Sequence, residues 1–186
     1  ETADADILVD LHCCGQHGLP YILSIYSESE KARKLVEKIT MPIAVHSEGT
    51  PGQLFTESCR KRNQAACIIE LPSGAGSGTV NLPVAEQCYA GLMDMLRTEG
   101  VVAGKIEGAA PQFYGTLKDA EAPEGGLWRP EVKKGDQVKA GAKIGTVDGA
   151  AVYAPEDGMV MSILPCAYIF PDDLGVMVYI QPEKKA

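Results

Sequence analysis

No apolar run in the 186-residue sequence approaches the roughly 20 residues that a bilayer helix needs, so no helical membrane span is expected. Positive charge is in deficit: 17 Lys and Arg stand against 25 Asp and Glu, a net charge of −8. An acidic surface repels a phosphate backbone, so neither nucleic acid nor a membrane is an expected partner. None of the six cysteines (Cys13, Cys14, Cys59, Cys67, Cys88, Cys166) forms a C-x-x-C pair, so a zinc ribbon and a thioredoxin-like motif are excluded. Their neighbours are mostly apolar, as in Ala66-Cys67-Ile68-Ile69, the pattern of buried free thiols in a reducing cytoplasm. Cys13 lies beside His12, but adjacency in sequence does not make a nucleophile–base pair. The chain opens on Glu1 with no secretory signal pattern after it, which suggests a processed product or part of something longer. What is present is the balance of a soluble globular protein, 45% hydrophobic and 23% charged. The length suits one ordinary domain, or a medium domain plus a small one.

The composition changes near residue 110. Before it, strand-like and helix-like segments alternate. Ile7 to Leu11 and Tyr21 to Tyr26 are short apolar runs. Ser27-Glu28-Ser29-Glu30 fits a capping box, opening a helix to about Ile39 with Ala32, Leu35, Val36 and Ile39 on one face. Gly52 to Asn63 reads as a second helix. Ala66 to Leu71 reads as a buried strand, followed by a Gly/Ser loop from Pro72 to Gly78. Asn81 caps a third helix, with Pro83 in its first turn, ending at Gly100. This alternation predicts an α/β layered structure.

From Leu127 no helical period survives. Short β-prone runs are separated by Gly-Asp, Gly-Ala, Asp-Gly and Pro-Asp turn signals, which predicts a small all-β unit. The segment from Glu107 to Gly126 reads as a connection or an irregular first part of that unit. Val132 to Gly145 resembles the first half of a biotinyl/lipoyl-type barrel-sandwich domain, and Ala154-Pro155-Glu156-Asp157-Gly158-Met159-Val160 the start of its second half. A carrier domain of that type displays a lysine at the hairpin tip between the halves. Here the tip is Val147-Asp148-Gly149-Ala150-Ala151-Val152, without one. No amine is present to receive biotin or lipoate, so a structural or shielding role is expected.

Two positions carry candidate chemistry. Val9-Asp10-Leu11-His12 puts a histidine at a strand end, where ligands bind in α/β sheets. Such an imidazole can ligate a metal, and a nearby carboxylate can fix its tautomer. Hydrogen-bonded structural histidines also occur there. Ile68-Ile69-Glu70-Leu71-Pro72 closes an apolar strand on a carboxylate, which is costly to bury unless paired or functional. Partial burial raises a carboxylate pKa toward the range of a general base, whereas a Glu reaching solvent would need no role.

The order of these features resembles the succinylglutamate desuccinylase/aspartoacylase family, a branch of the zinc carboxypeptidase fold. The match runs through Asp10-Leu11-His12, Ile68-Ile69-Glu70, the Gly-rich loop, the helix end at Leu92 to Gly100 and the barrel-sandwich tail. The resemblance implies a zinc-carboxypeptidase-like layered sheet with helices, partial here, over residues 1–108, and a β-rich barrel-sandwich-like domain over 109–186. It implies a zinc-dependent amidohydrolase that removes an acyl group from an N-acyl amino acid. His12 matches the family's downstream zinc ligand. Glu70 matches the glutamate that activates the metal-bound water and later protonates the leaving amine. Arg60 resembles the arginine that holds a substrate carboxylate, a task suited to a guanidinium; Arg62 or Lys61 offer the same charge, and a solvated helix face is the alternative.

One departure is large. The family's other zinc ligands come from an upstream H-x-x-E motif. Here His12 is followed by Cys13-Cys14-Gly15, His17 by Gly18-Leu19-Pro20 and His46 by Ser47-Glu48-Gly49. The simplest expectation is that an upstream segment of the same protein supplies the missing ligands. Substitution by Cys13, Cys14 or His17 is disfavoured, because adjacent residues of an extended chain point to opposite sides. Two alternatives remain: a peptide-cleaving zinc carboxypeptidase, and a non-catalytic binding or scaffold protein that has lost the metal. A homo-oligomer with contacts through the β unit fits any of the three.

Overall fold

The computed structural model describes residues 2–13, 17–72 and 80–183. The chain divides into two compact units. One holds residues 1–16 and 20–115, the other residues 17–19 and 116–186.

The first unit is a sheet with helices. Its elements are β1 (Ile7–Cys13), β2 (Tyr21–Ser24), α1 (Glu30–Lys38), β3 (Ile43–His46), α2 (Leu54–Arg62), β4 (Ala65–Leu71), α3 (Leu82–Thr98) and β5 (Gln112–Tyr114). The five strands lie in the order β1-β4-β2-β3-β5. β1 and β4 are parallel, β2 is antiparallel to β4, and β2, β3 and β5 are parallel. The carboxyl ends of β1 and β4 therefore lie at one end of the sheet, and those of β2, β3 and β5 at the other.

Local chemistry explains the helices. Ser29 is the N-cap of α1, its hydroxyl accepting the Ala32 N–H at 3.2 Å. The cap sits two residues beyond the first serine of the Ser27–Glu30 box. Ala32, Leu35 and Val36 face the core. α2 ends at Asn63 in the left-handed conformation, φ 53°, where its N–H reaches the Ser58 carbonyl. Asn81 caps α3, and Pro83 sits in its first turn. Asp94, buried on α3, accepts from Thr40 Oγ1, Arg97 Nη1 and the backbone N–H groups of Glu107 and Gly108. This ties the loop after α3 to the helix. Alternating strand residues fill opposite faces: Cys67 and Ile69 join one core cluster with Ile22, Leu35 and Met95, while Leu8, Ala66 and Ile68 join another with Phe55.

Two strands carry no clear sequence pattern. β3 is a four-residue strand between Pro42 and a polar loop. β5 lies inside the Glu107–Gly126 segment and belongs to the first unit's sheet, not to the β unit, because it pairs with β3. The two units divide at residues 115/116 in the contacts, against the 108/109 boundary that the resemblance implies. The Gly/Ser loop at 73–78, like Cys14, lies outside the described residues.

The second unit has two four-stranded sheets. β6 (Lys118–Glu121), β13 (Gly175–Ile180), β11 (Gly158–Ile163) and β8 (Gln137–Val138) form one. β10 (Ala150–Tyr153), β9 (Lys143–Val147), β7 (Gly126–Pro130) and β12 (Ala167–Ile169) form the other. Both sheets feed one core, with Trp128, Ile144, Val147, Val152 and Ile169 from one and Val138, Val160, Val176, Met177 and Tyr179 from the other. Gly145 is required: a Cβ there would run into the Trp128 ring. Aspartates close the turns. Asp136 accepts from Lys133 N–H, Asp157 from Ala140 N–H, and Asp148 from Leu127 N–H. Asp148 and Gly149, at φ 46° and 91°, make the tight turn between β9 and β10. Residues 17–19 run beside β11, with Leu19 N–H on the Met161 carbonyl and Lys134 Nζ on the Gly18 carbonyl.

Candidate active site

The parallel register of β1 and β4 places His12 opposite Glu70. Side chains at paired positions of neighbouring strands share a face, and so do positions two apart on one strand. Asp10, His12 and Glu70 therefore meet on one face at the strands' carboxyl ends. His12 Nε2 lies 3.1 Å from Asp10 Oδ2, and His12 Nδ1 lies 3.7 Å from Glu70 Oε1. Exposure is graded: 45% for His12, 31% for Asp10 and only 14% for Glu70. Burial raises the Glu70 pKa above the ordinary carboxylate range; His12 opposes that shift and the Asp10 charge adds to it.

This arrangement can hold and move protons. An imidazole with a carboxylate on one nitrogen has its tautomer and ring orientation set, leaving the other nitrogen for a ligand or a proton. Here Asp10 engages Nε2, and Nδ1 faces Glu70. Asp10 is the third member of the cluster; its signal in the sequence is the D-x-H spacing, which puts both side chains on one face of a strand. For a zinc ion the donor chemistry fits one vertex: a neutral imidazole nitrogen backed by a carboxylate. Among the described residues no group of three His, Cys, Asp or Glu could hold a metal ion, so the remaining vertices are not found there.

Arg60 is placed elsewhere. Its guanidinium is bidentate on Glu28, with nitrogen–oxygen distances of 3.0–3.2 Å, and it donates to the Gly49 and Glu48 carbonyls at 3.1 and 2.6 Å. Glu28 follows β2, and residues 48–49 follow β3. Because β2 runs against β4, with Tyr21 opposite Glu70, that end of the sheet lies past Ser24, three residues or about 10 Å along β2 from Glu70. Arg62 is bound to Gln64 Oε1 and Ser58 Oγ, and Lys61 pairs with Glu57 on the solvent face of α2. The geometry thus brings His12 and Glu70 together and leaves Arg60, Arg62 and Lys61 out. His46, at the end of β3, packs on Tyr26 with ring centroids 5.2 Å apart and touches Ser27 Oγ, again at the far end. Three of the described cysteines, Cys59, Cys67 and Cys88, are buried with thiol pKa values raised by desolvation, whereas Cys13 and Cys166 are exposed. No helix among the described residues is long and apolar enough to cross a membrane.

No family model matches the sequence, and no curated protein matches it. Solved structures do. A succinylglutamate desuccinylase/aspartoacylase from Rhodobacter sphaeroides superposes with a TM-score of 0.78 at 22% identity, over 99% of this chain and 62% of that one. The product-bound ectoine utilization protein EutE (DoeB) from Ruegeria pomeroyi gives 0.77 at 16% identity, over 96% of this chain and 59% of that one. Succinylglutamate desuccinylase from Vibrio cholerae gives 0.60 at 11% identity, over 94% and 52%. The chain spans about three fifths of the length of the first two. It has the mixed α/β fold of the succinylglutamate desuccinylase/aspartoacylase structures along nearly its whole length.

Proposed function

We propose that this chain is the downstream part of a zinc-dependent deacylase, an amidohydrolase that removes an acyl group from an N-acyl amino acid or a similar small molecule. The observation that carries the proposal is the Asp10–His12–Glu70 cluster at the paired ends of β1 and β4, in a chain with this fold. His12 would be one zinc ligand, with Asp10 holding its tautomer. When bound, zinc supplies Lewis acidity toward the amide carbonyl and makes water acidic enough to ionise near neutral pH. Glu70 takes the proton of the attacking water and returns it to the leaving amine. Its raised pKa suits both roles, since a base poised nearer neutrality also serves as an acid. Arg60 has no part in this proposal, because Glu28 and two carbonyls already engage its fork at the far end of the sheet.

The upstream segment of the same protein would contribute the remaining ligands. The second unit is a barrel-sandwich domain without a carrier lysine, serving a structural purpose. A cytoplasmic setting accords with the three buried thiols. The test uses the protein expressed from its whole coding region. Elemental analysis should give about one zinc per chain, and amine release from a panel of N-acyl amino acids should be measurable and fall when Glu70→Gln is introduced. A whole-length product that holds no zinc and releases no amine would overturn the proposal and favour the metal-free binding protein.

A further inference from the structure

Three side chains form one row across the sheet. The β1–β4 register pairs His12 with Glu70, and the antiparallel β2–β4 register pairs Glu70 with Tyr21. Directly paired residues share a face, so Tyr21 stands on the face that carries His12 and Glu70. Glu70 is the middle member, with the imidazole on one flank and the phenol ring on the other. Neighbouring strands lie about 4.8 Å apart, so the row is roughly 10 Å long.

The two flanks differ in character. Two positions away from the site end, the same face carries Asp10 on β1, Ile68 on β4 and Leu23 on β2. Ile68 is buried and Leu23 partly so, both in the core cluster around Phe55. The β2 flank of Glu70 is therefore apolar, a partly buried aromatic ring with aliphatic side chains behind it. The β1 flank holds Asp10 and His12. The ring is also well fixed. β2 is the central strand of the five, paired on both sides, and the neighbouring Ile22 is fully buried. A side chain on such an element is held more firmly than one on a loop.

The chemistry assigned to Glu70 says what the ring meets. To receive a proton from Glu70, the leaving nitrogen must lie within hydrogen-bond reach of its carboxylate. The His12 flank is where a metal would be held, so the substituent on that nitrogen is left the Tyr21 flank. An apolar or aromatic group there gives up water against the ring. An acidic group there meets like charge from Glu70 and Asp10, and Arg60, the candidate for holding a carboxylate, is engaged at the other end of the sheet.

We propose that Tyr21 is a specificity-determining residue of the site: its ring receives the amino-acid half of the substrate and selects a large apolar or aromatic side chain over an acidic one. The proposal rests on the deacylase reading for the chemistry and on the His12–Glu70–Tyr21 row for the location.

The test compares the phenylalanine, leucine and aspartate derivatives of an acetyl and a succinyl series, on the whole-length protein and its Tyr21 variants. Amine release and calorimetric binding are both measured. The parent should favour the phenylalanine and leucine derivatives over the aspartate one by about 10- to 100-fold in kcat/KM, the scale of a hydrophobic pocket. Tyr21→Phe should keep that ratio, Tyr21→Ala should bring it close to one, and Tyr21→Arg should turn it toward aspartate. Each readout is a ratio of substrates on one protein, so partial unfolding lowers both rates and does not move it. A parent that prefers aspartate, or a ratio that Tyr21→Ala and Tyr21→Arg leave in place, would overturn the proposal and keep the deacylase reading. A parent that releases no amine, yet binds the phenylalanine derivatives over the aspartate ones and loses that preference in Tyr21→Ala, would do the reverse. A parent that neither releases amine nor binds any derivative removes both.

Discussion

Where β1 and β4 finish, Asp10, His12 and Glu70 crowd together, with two carboxylates on one imidazole and the pKa of the more buried one raised by desolvation. Where β2 and β3 finish, Arg60 meets Glu28 and two backbone carbonyls. Both ends of the sheet collect charged side chains, so residue type does not separate them. Partnering does. Arg60 is saturated by neighbours that the fold already provides. Glu70 has lost water with His12 as its one opposing neighbour among the described residues, and desolvation so thinly compensated is tolerated chiefly where a ligand is to arrive.

The contrast can be tested by breaking each end in turn. In the whole-length protein, Glu70→Gln should lower kcat by about 10²- to 10⁴-fold, the span expected for loss of a positioned general base, with the melting temperature unchanged or raised. Asp10→Asn should weaken zinc binding by about 10- to 100-fold, as read by competition with a chromophoric chelator, while His12 stays in place. Arg60→Ala should leave kcat within about threefold and cost on the order of 1 kcal/mol in urea denaturation, the scale of a half-exposed ion pair. An Arg60 variant that lost kcat as severely as the Glu70 variant would erase the distinction between the ends.

A smaller effect separates Glu70 from Asp94 by sign. The Glu70 pKa is raised in the metal-free folded chain, so the folded state binds the proton more tightly than the unfolded one. Its contribution to stability is full below the unfolded pKa and declines as pH rises through the folded value. Glu70→Gln should therefore stabilise the metal-free chain at pH 7 and not at pH 3. Asp94 behaves oppositely. Hydrogen bonds from Thr40 and the Gly108 N–H hold its carboxyl well below the usual range. Its contribution is present above the unfolded pKa and lost as pH falls toward the folded one, so Asp94→Asn should destabilise at pH 7 and converge on the parent in strong acid. Thermal melts at both pH values give the two signs directly.

Much of the scaffold could be read from residue patterns alone. The apolar runs at Ile7 and Ala66, the helix faces around Leu35, and Asn81 with Pro83 all act locally, and local rules predict them. β3 and β5 escaped because a three- or four-residue strand has too few positions to display a period, and β5 owes its existence to β3 across the sheet. The sense of β2 was also hidden. Alternating strands and helices suggest a parallel sheet throughout, but β2 opposes β4, and that reversal puts Arg60 and Glu70 at opposite ends despite ten residues of separation. At the candidate site, His12 and Glu70 stood out because polar groups closing apolar strands are costly. Asp10 needed the strand periodicity to be carried one step further, to the face that it shares with His12.

Asp148 and Gly149 turn the chain between β9 and β10 in two residues, and Asp148 directs its carboxylate back to the Leu127 N–H. A prosthetic arm must present its terminal group outward, over a distance that varies as it travels between stations. The group at this tip points home, and its reach is zero. A tip closed this way presents no side-chain amine on which a prosthetic group could be mounted.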